Sequence, residues 1–187
     1  MAAVPFITCD DHGIFKVHGE AEAVLAALPP DVRAVAPLCI AGKSRTGKSF
    51  LLNALQGGGG GAASAAAAPA FTVGHSVEAC TRGIWMSGEP LLLPLAGGGR
   101  CAVLLLDTEG IGSPGSTPEH DARVFSLAVL LSSLLVFNSL GAIDEESLGT
   151  LSFVAQLSQL IQAAPRGSSG GGGSSSGGGG RRRCRPL

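Results

Sequence analysis

One octapeptide constrains this chain more than anything else in it: Gly42-Lys43-Ser44-Arg45-Thr46-Gly47-Lys48-Ser49. It follows Arg33 to Ala41, an apolar run that reads as a buried strand, and it leads into Ser49 to Leu55, which begins a helix. Strand, G-x-x-x-x-G-K-[ST] and helix in that order form the context in which a phosphate-binding loop works. The glycines let backbone N–H groups turn inward around phosphate, and Lys48 reaches the β and γ oxygens. The Ser49 hydroxyl can join a Mg²⁺ shell, and the helix N-terminus adds its dipole. A chance match is the competing explanation in a chain with 29 glycines, but there are only three lysines, Lys16, Lys43 and Lys48, so composition alone makes it rare.

Such a loop needs an acidic residue at the end of a neighbouring strand. Cys101 to Asp107 supplies one, and Asp107 can hold a metal-bound water. Gly110, three residues on, completes the D-x-x-G pattern of GTPases, in which the glycine amide meets the γ-phosphate. That pattern is weak alone and strong beside a phosphate-binding loop.

The rest of the chain agrees. Pro5 to Thr8 and Ile14 to Val17 flank a turn at Asp10 to Gly13 and suggest a hairpin, and Glu20 to Leu28 suggests a short helix closed by Pro29 and Pro30. Gly83 to Ser87 and Leu91 to Leu95 read as strands joined by a turn at Gly88 to Pro90. Ala122 to Leu131 suits a helix and Leu134 to Asn138 a third buried strand. Leu148, Leu151, Val154, Leu157 and Ile161 then recur at helical spacing. Strands alternating with helices predict an α/β P-loop NTPase fold, a mainly parallel sheet covered by helices in three layers. Trp85, on a predicted strand, reads as core.

Two low-complexity segments, Gly57 to Ala70 and Gly167 to Gly180, hold too few bulky apolar side chains to order themselves and are expected to be mobile. Long insertions cost little closure entropy, so the first fits inside one domain, residues 1–165, and the second releases a disordered tail, 166–187. That tail carries five Arg and no acid, whereas residues 1–165 hold eight basic against fourteen acidic residues. An acidic body argues against a nucleic-acid surface. The five cysteines form no C-x-x-C pair, which fits a reducing, cytoplasmic setting rather than a disulfide or zinc framework. His75 and Cys80 read as loop residues, and His12, His18 and His120 as exposed. The longest apolar-rich stretch, Phe125 to Phe137, is interrupted by serines and falls short of a membrane span.

Four stretches resemble the guanylate-binding proteins and the related atlastin and root-hair-defective group of dynamin-like GTPases: the loop with its internal Arg45, Thr81-Arg-Gly-Ile-Trp-Met86, Leu106-Asp-Thr-Glu-Gly-Ile-Gly112, and Leu127 to Ser133 running on to Phe137-Asn-Ser-Leu-Gly141. The likeness spans most of residues 4 to 162. It implies Mg²⁺-dependent GTP hydrolysis, with Gly42 to Phe50 and Gly110 around the nucleotide and Ser49, Thr81 and Asp107 around the metal. It makes Arg45 an arginine finger within the loop and Lys48 its neighbour in charge stabilisation. Glu109 has two readings: organiser of the attacking water, or partner of Arg82 or Arg45. GTP and GDP are the implied ligands, and pairing of two G domains across the nucleotide is an implied homodimer.

Two departures qualify the likeness. The family's serine two residues before the switch-I threonine is Ala79 here, which implies slower hydrolysis or another route for the water's proton. No Asp follows Asp144 and no Lys follows Lys48, so the family's base-reading Arg-Asp element has no counterpart and the G domain reads as truncated at its C-terminus. The alternative function is therefore a hydrolysis-deficient nucleotide-binding or interaction module. An ATPase or small-molecule kinase is a third reading that Asp-Thr-Glu-Gly and Thr-Arg-Gly-Ile-Trp do not resemble.

Overall fold

The computed structural model describes residues 2–10, 12–57, 69–72, 83–142 and 145–163. Residues 58–68 of the expected insertion, the expected tail 166–187, and Ala79, Thr81 and Arg82 lie outside these residues, as do His75 and Cys80.

Among the described residues the chain runs β1 (Val4–Cys9), β2 (Phe15–Val17), α1 (Gly19–Ala26), β3 (Val32–Ala41), α2 (Lys48–Gln56), β4 (Ile84–Met86), β5 (Leu91–Pro94), β6 (Arg100–Thr108), α3 (Pro118–Leu131), β7 (Leu134–Phe137) and α4 (Glu145–Ala163). The strands make one sheet in the order β2-β1-β4-β6-β3-β7, with β5 also on β6.

Alternation along the two central strands sorts the core. Cys39, Leu104 and Leu106 face α1 and α3, where they meet Ala21, Val124 and Ala128. Ile40 and Leu105 face the opposite way, onto Leu52 of α2 and Phe71. Both faces of β3 and β6 are thus covered, which is why those segments read as continuous apolar runs rather than as alternating ones. Each fully buried Leu or Ile here contributes about 1.5–3 kcal/mol. Burial also pushes the Cys39 thiol pKa up, so the thiol stays protonated and inert. The expected three layers are present.

The sheet itself is mixed, which narrows the expectation of a mainly parallel one. Parallel ladders join β3 to β6 and β3 to β7, whereas β1 with β2, β1 with β4, β4 with β6 and β5 with β6 are antiparallel. The turn expected at Gly88 to Pro90 does not reverse the chain. β4 and β5 lie in line along one edge of β6, Ile84 to Met86 opposite Thr108 to Leu106 and Leu91 to Pro94 opposite Val103 to Arg100. The Ser87 N–H continues this ladder to the Leu105 carbonyl, and Gln56 Nε2 donates to the buried Ser87 hydroxyl. The segment between is a bulge. The true reversal follows β5, where Gly98 and Gly99 adopt φ of 80° and 79°.

Helix α3 starts four residues earlier than its apolar spacing suggests. Thr117 caps it by accepting from the His120 N–H, Pro118 occupies the first turn, and Glu119 and Asp121 complement the dipole. Among the described residues, no helix is long and apolar enough to cross a membrane.

Candidate nucleotide-binding site

The parallel strands β3, β6 and β7 end side by side, and Gly42, Asp107 and Asn138 stand at or just past their carboxyl ends. Crevices at such strand ends are where open α/β sheets take ligands.

From β3 the chain enters the loop 42–47 under tight steric control. A Cβ on Gly42 would lie 2.0 Å from the Asn138 carbonyl oxygen. Gly47, at φ 89°, is the N-cap of α2, and Arg45 has φ 62°. The N-terminus of α2 has no side-chain cap and no acidic residue in its first turn, in contrast to α3. Its leading N–H groups and positive dipole end are left for an anion.

Lys48 is 6% exposed, a low value for an ammonium-bearing side chain. Its Nζ donates to the Lys43 carbonyl at 2.9 Å, across the loop it would share with phosphate. Burial lowers its pKa, and the Asp107 carboxylate works against that shift. Ser49 Oγ donates to Asp107 Oδ2 at 2.5 Å, and Asp107 is buried at 1%. One hydroxyl and one carboxylate in contact form a hard oxygen donor pair, which suits Mg²⁺.

The segment after β6 is zipped onto the loop. The Ile111 N–H donates to the Gly42 carbonyl, and the Ser44 N–H donates to the Ile111 carbonyl. A Cβ on Gly110 would lie 2.4 Å from Ser44 Cα, so only glycine permits this approach. Gly42 to Ser49, Asp107 and Gly110 are therefore brought together as the motifs require. Arg45 is exposed on the loop, and Phe50, 67% exposed on the first turn of α2, turns its ring to solvent. Thr81 lies outside the described residues.

Glu109 has partners that sequence reasoning did not name. Its Oε2 accepts from the Gly83 N–H at 3.0 Å and lies 2.9 Å from His120 Nε2, while its own N–H donates to the Gly83 carbonyl. The expectation of exposed histidines fails at two of three positions: His120 is half-buried against Glu109, and His18 Nε2 lies 2.9 Å from Thr8 Oγ1. Their partners stand eleven and ten residues away in the chain, beyond any local pattern.

Asn138 was also missed. Its N–H donates to the Ala41 carbonyl at 2.7 Å and its Nδ2 to the Thr46 carbonyl at 2.9 Å, so β7 holds both ends of the loop. Asn138→Ala keeps the first bond and loses the second. It should cost about 1–2 kcal/mol and lower Tm by roughly 2–8 °C in a melt of the nucleotide-free chain.

A glycine loop between a buried strand and a helix, with its lysine and serine facing a carboxylate on the adjacent parallel strand, defines the class: a P-loop NTPase. Residues 13–171 match the family model described as guanylate-binding protein, N-terminal domain. The chain is 39% identical to human guanylate-binding protein 7 over 158 residues, 84% of this chain and 22% of that protein. It is 39% identical to mouse guanylate-binding protein 3 over 127 residues, 67% of this chain and 18% of the relative. With human guanylate-binding protein 2 the identity is 37% over 152 residues, 81% and 23% of the two chains. This chain belongs to the guanylate-binding protein family, and it spans less than a quarter of the length of each of these relatives.

Proposed function

We propose that this chain binds GTP with Mg²⁺ and hydrolyses it at the β–γ anhydride. The observation that carries the proposal is the Ser49–Asp107 contact of 2.5 Å beside the buried Lys48, at the uncapped N-terminus of α2. Guanine as the base rests on the names of the relatives. Ser49 and Asp107, with Thr81, would hold the metal, which when bound neutralises charge on the phosphate oxygens.

The chain's own residues do the rest. Lys48 exchanges the Lys43 carbonyl for phosphate oxygens, and the exchange relieves an ammonium that burial disfavours. Backbone groups of the stretch from Gly42 to Phe50 surround the phosphates, and Gly110 presents its amide beside Ser44. Arg45 supplies a second cation at the loop crest, where a loose phosphoryl-transfer transition state gains most. Glu109 acts from the end of β6 on the attacking water. A homodimer formed across bound nucleotide and a cytoplasmic setting belong to the same proposal; the free thiols of Cys9 and Cys39 support the second.

A second reading, binding without turnover, is favoured by Ala79, which removes a hydroxyl from the water's proton route. Titrating Trp85 fluorescence with GTP, GDP and ATP analogues in Mg²⁺, together with phosphate release, tests both. Saturable binding of GTP in preference to ATP with steady phosphate release supports hydrolysis. Binding without release selects the second reading, and no binding at all ends both.

A further inference from the structure

The first turn of α3 grips the segment that follows Asp107 at two places. Asp121 accepts from the Gly112 N–H at 2.7 Å and from the Ser116 hydroxyl. His120, the residue before it, meets Glu109 at 2.9 Å. A carboxylate oxygen accepts, so the imidazole Nε2 donates. The same Oε2 takes the Gly83 N–H, and Glu109 is the more enclosed of the pair, its side chain 9% exposed against 22% for His120.

Gly83 has little freedom of its own. It sits at φ 72°, and a Cβ there would lie 2.4 Å from the Ile7 carbonyl oxygen. It is pressed against β1 while both of its backbone polar groups are bonded to Glu109. A carboxylate that must serve the reaction is thus tied to the start of β4 and steadied from α3. Both Glu109 and His120 line a cavity of about 450 Å³, together with Cys9, Asp10, His12 and Arg123. Glu109 and His120 thus meet in the wall of one cavity.

We propose that His120 is a positioning residue for Glu109, fixing the carboxylate so that Oε2 holds the Gly83 N–H. The inference rests on the proposed GTPase reading, in which Glu109 acts on the attacking water. His120 does not touch the nucleotide in this scheme; it acts through the carboxylate alone. Losing it would free Glu109 to swing within the cavity it lines and admit water to Gly83. Catalysis is sensitive to such misplacement, whereas affinity is set at the loop 42–49.

Three versions of the chain test this: unmutated, His120→Ala, and His120→Gln, whose amide nitrogen reaches about as far as Nε2. Four quantities are read: Gly83 amide exchange by ¹⁵N NMR, GTP affinity by Trp85 fluorescence, single-turnover phosphate release, and Tm. In His120→Ala the Gly83 amide should exchange about tenfold faster and phosphate release should fall about tenfold, the scale of one hydrogen bond to a charged group. Affinity should stay within about twofold, and His120→Gln should restore both exchange and release. Unchanged Gly83 exchange in His120→Ala overturns the proposal. So does faster exchange along all of β4 with a matching fall in Tm and no rescue by Gln, which is what a merely structural histidine gives. If the unmutated chain releases no phosphate, the GTPase reading fails by itself, and Gly83 exchange with its rescue by Gln still decides whether His120 positions Glu109.

Discussion

Lys48→Ala should cost at least about a hundredfold in GTP affinity, roughly 3 kcal/mol, because a charge-assisted contact to phosphate and a desolvated ammonium are lost together. Lys48 is 6% exposed, and its Nζ is bonded to a loop carbonyl rather than to a carboxylate. Burial lowers its pKa, so the folded chain binds fewer protons at this group than the unfolded chain does, between the lowered value and the ordinary 10.5. Stability tied to Lys48 therefore rises with pH across that window and is smallest below it. A variant that keeps the apolar stem, Lys48→Met, should lose GTP as completely as Lys48→Ala while the nucleotide-free chain melts no lower than the unmutated one at pH 7. Fluorescence titration and a thermal melt of the same samples check both halves. A Lys48→Met chain that still binds GTP within a few fold would remove the lysine from the phosphate site.

The second large effect belongs to the fold. Gly42→Ala should destabilise the chain by about 3 kcal/mol or more, because the added methyl would sit 2.0 Å from the Asn138 carbonyl oxygen, which is held in place by β7. The φ of 148° adds strain for any L side chain. Neither cause can be relieved by a side-chain rotation, since the obstacle is backbone. Gly47→Ala makes the comparison: it has a positive φ of 89° but nothing within 4 Å of its Cβ, so it should cost only the conformational part, about 1 kcal/mol. Denaturant unfolding of the two variants side by side gives the difference directly. Equal losses would mean that contact with Asn138 is not what fixes the loop.

Much of this was legible because some chemistry leaves few choices. Phosphate binding demands glycines, a lysine and a hydroxyl at fixed spacing, so Gly42, Gly47, Lys48 and Ser49 stand out in sequence. A strand covered on both faces must be apolar throughout, so β3 and β6 stand out too. What the sequence could not reveal is pairing between distant residues of ordinary type. Asn138 is one asparagine after one strand, and only the parallel ladder of β7 on β3 brings it to Thr46, 92 positions away. For Glu109 the sequence offers Arg82 or Arg45 as possible partners, because charge invites charge, whereas the fold gives it a backbone amide and a histidine. The in-line placement of β4 and β5 hid behind Gly88-Glu89-Pro90, a stretch that signals reversal as readily as a bulge.

The clamp at Asn138 also sets an order of assembly. A chain made from its N-terminus has the whole octapeptide and Asp107 in hand well before Phe137 can be laid beside Ala41. Until then the carbonyl of Thr46 has no amide from Asn138, and the close approach at Gly42 does not exist. The loop 42–47 is therefore finished late, once the end of β7 is free to pair with β3, and a chain that stops short of that point carries the motif without its shape.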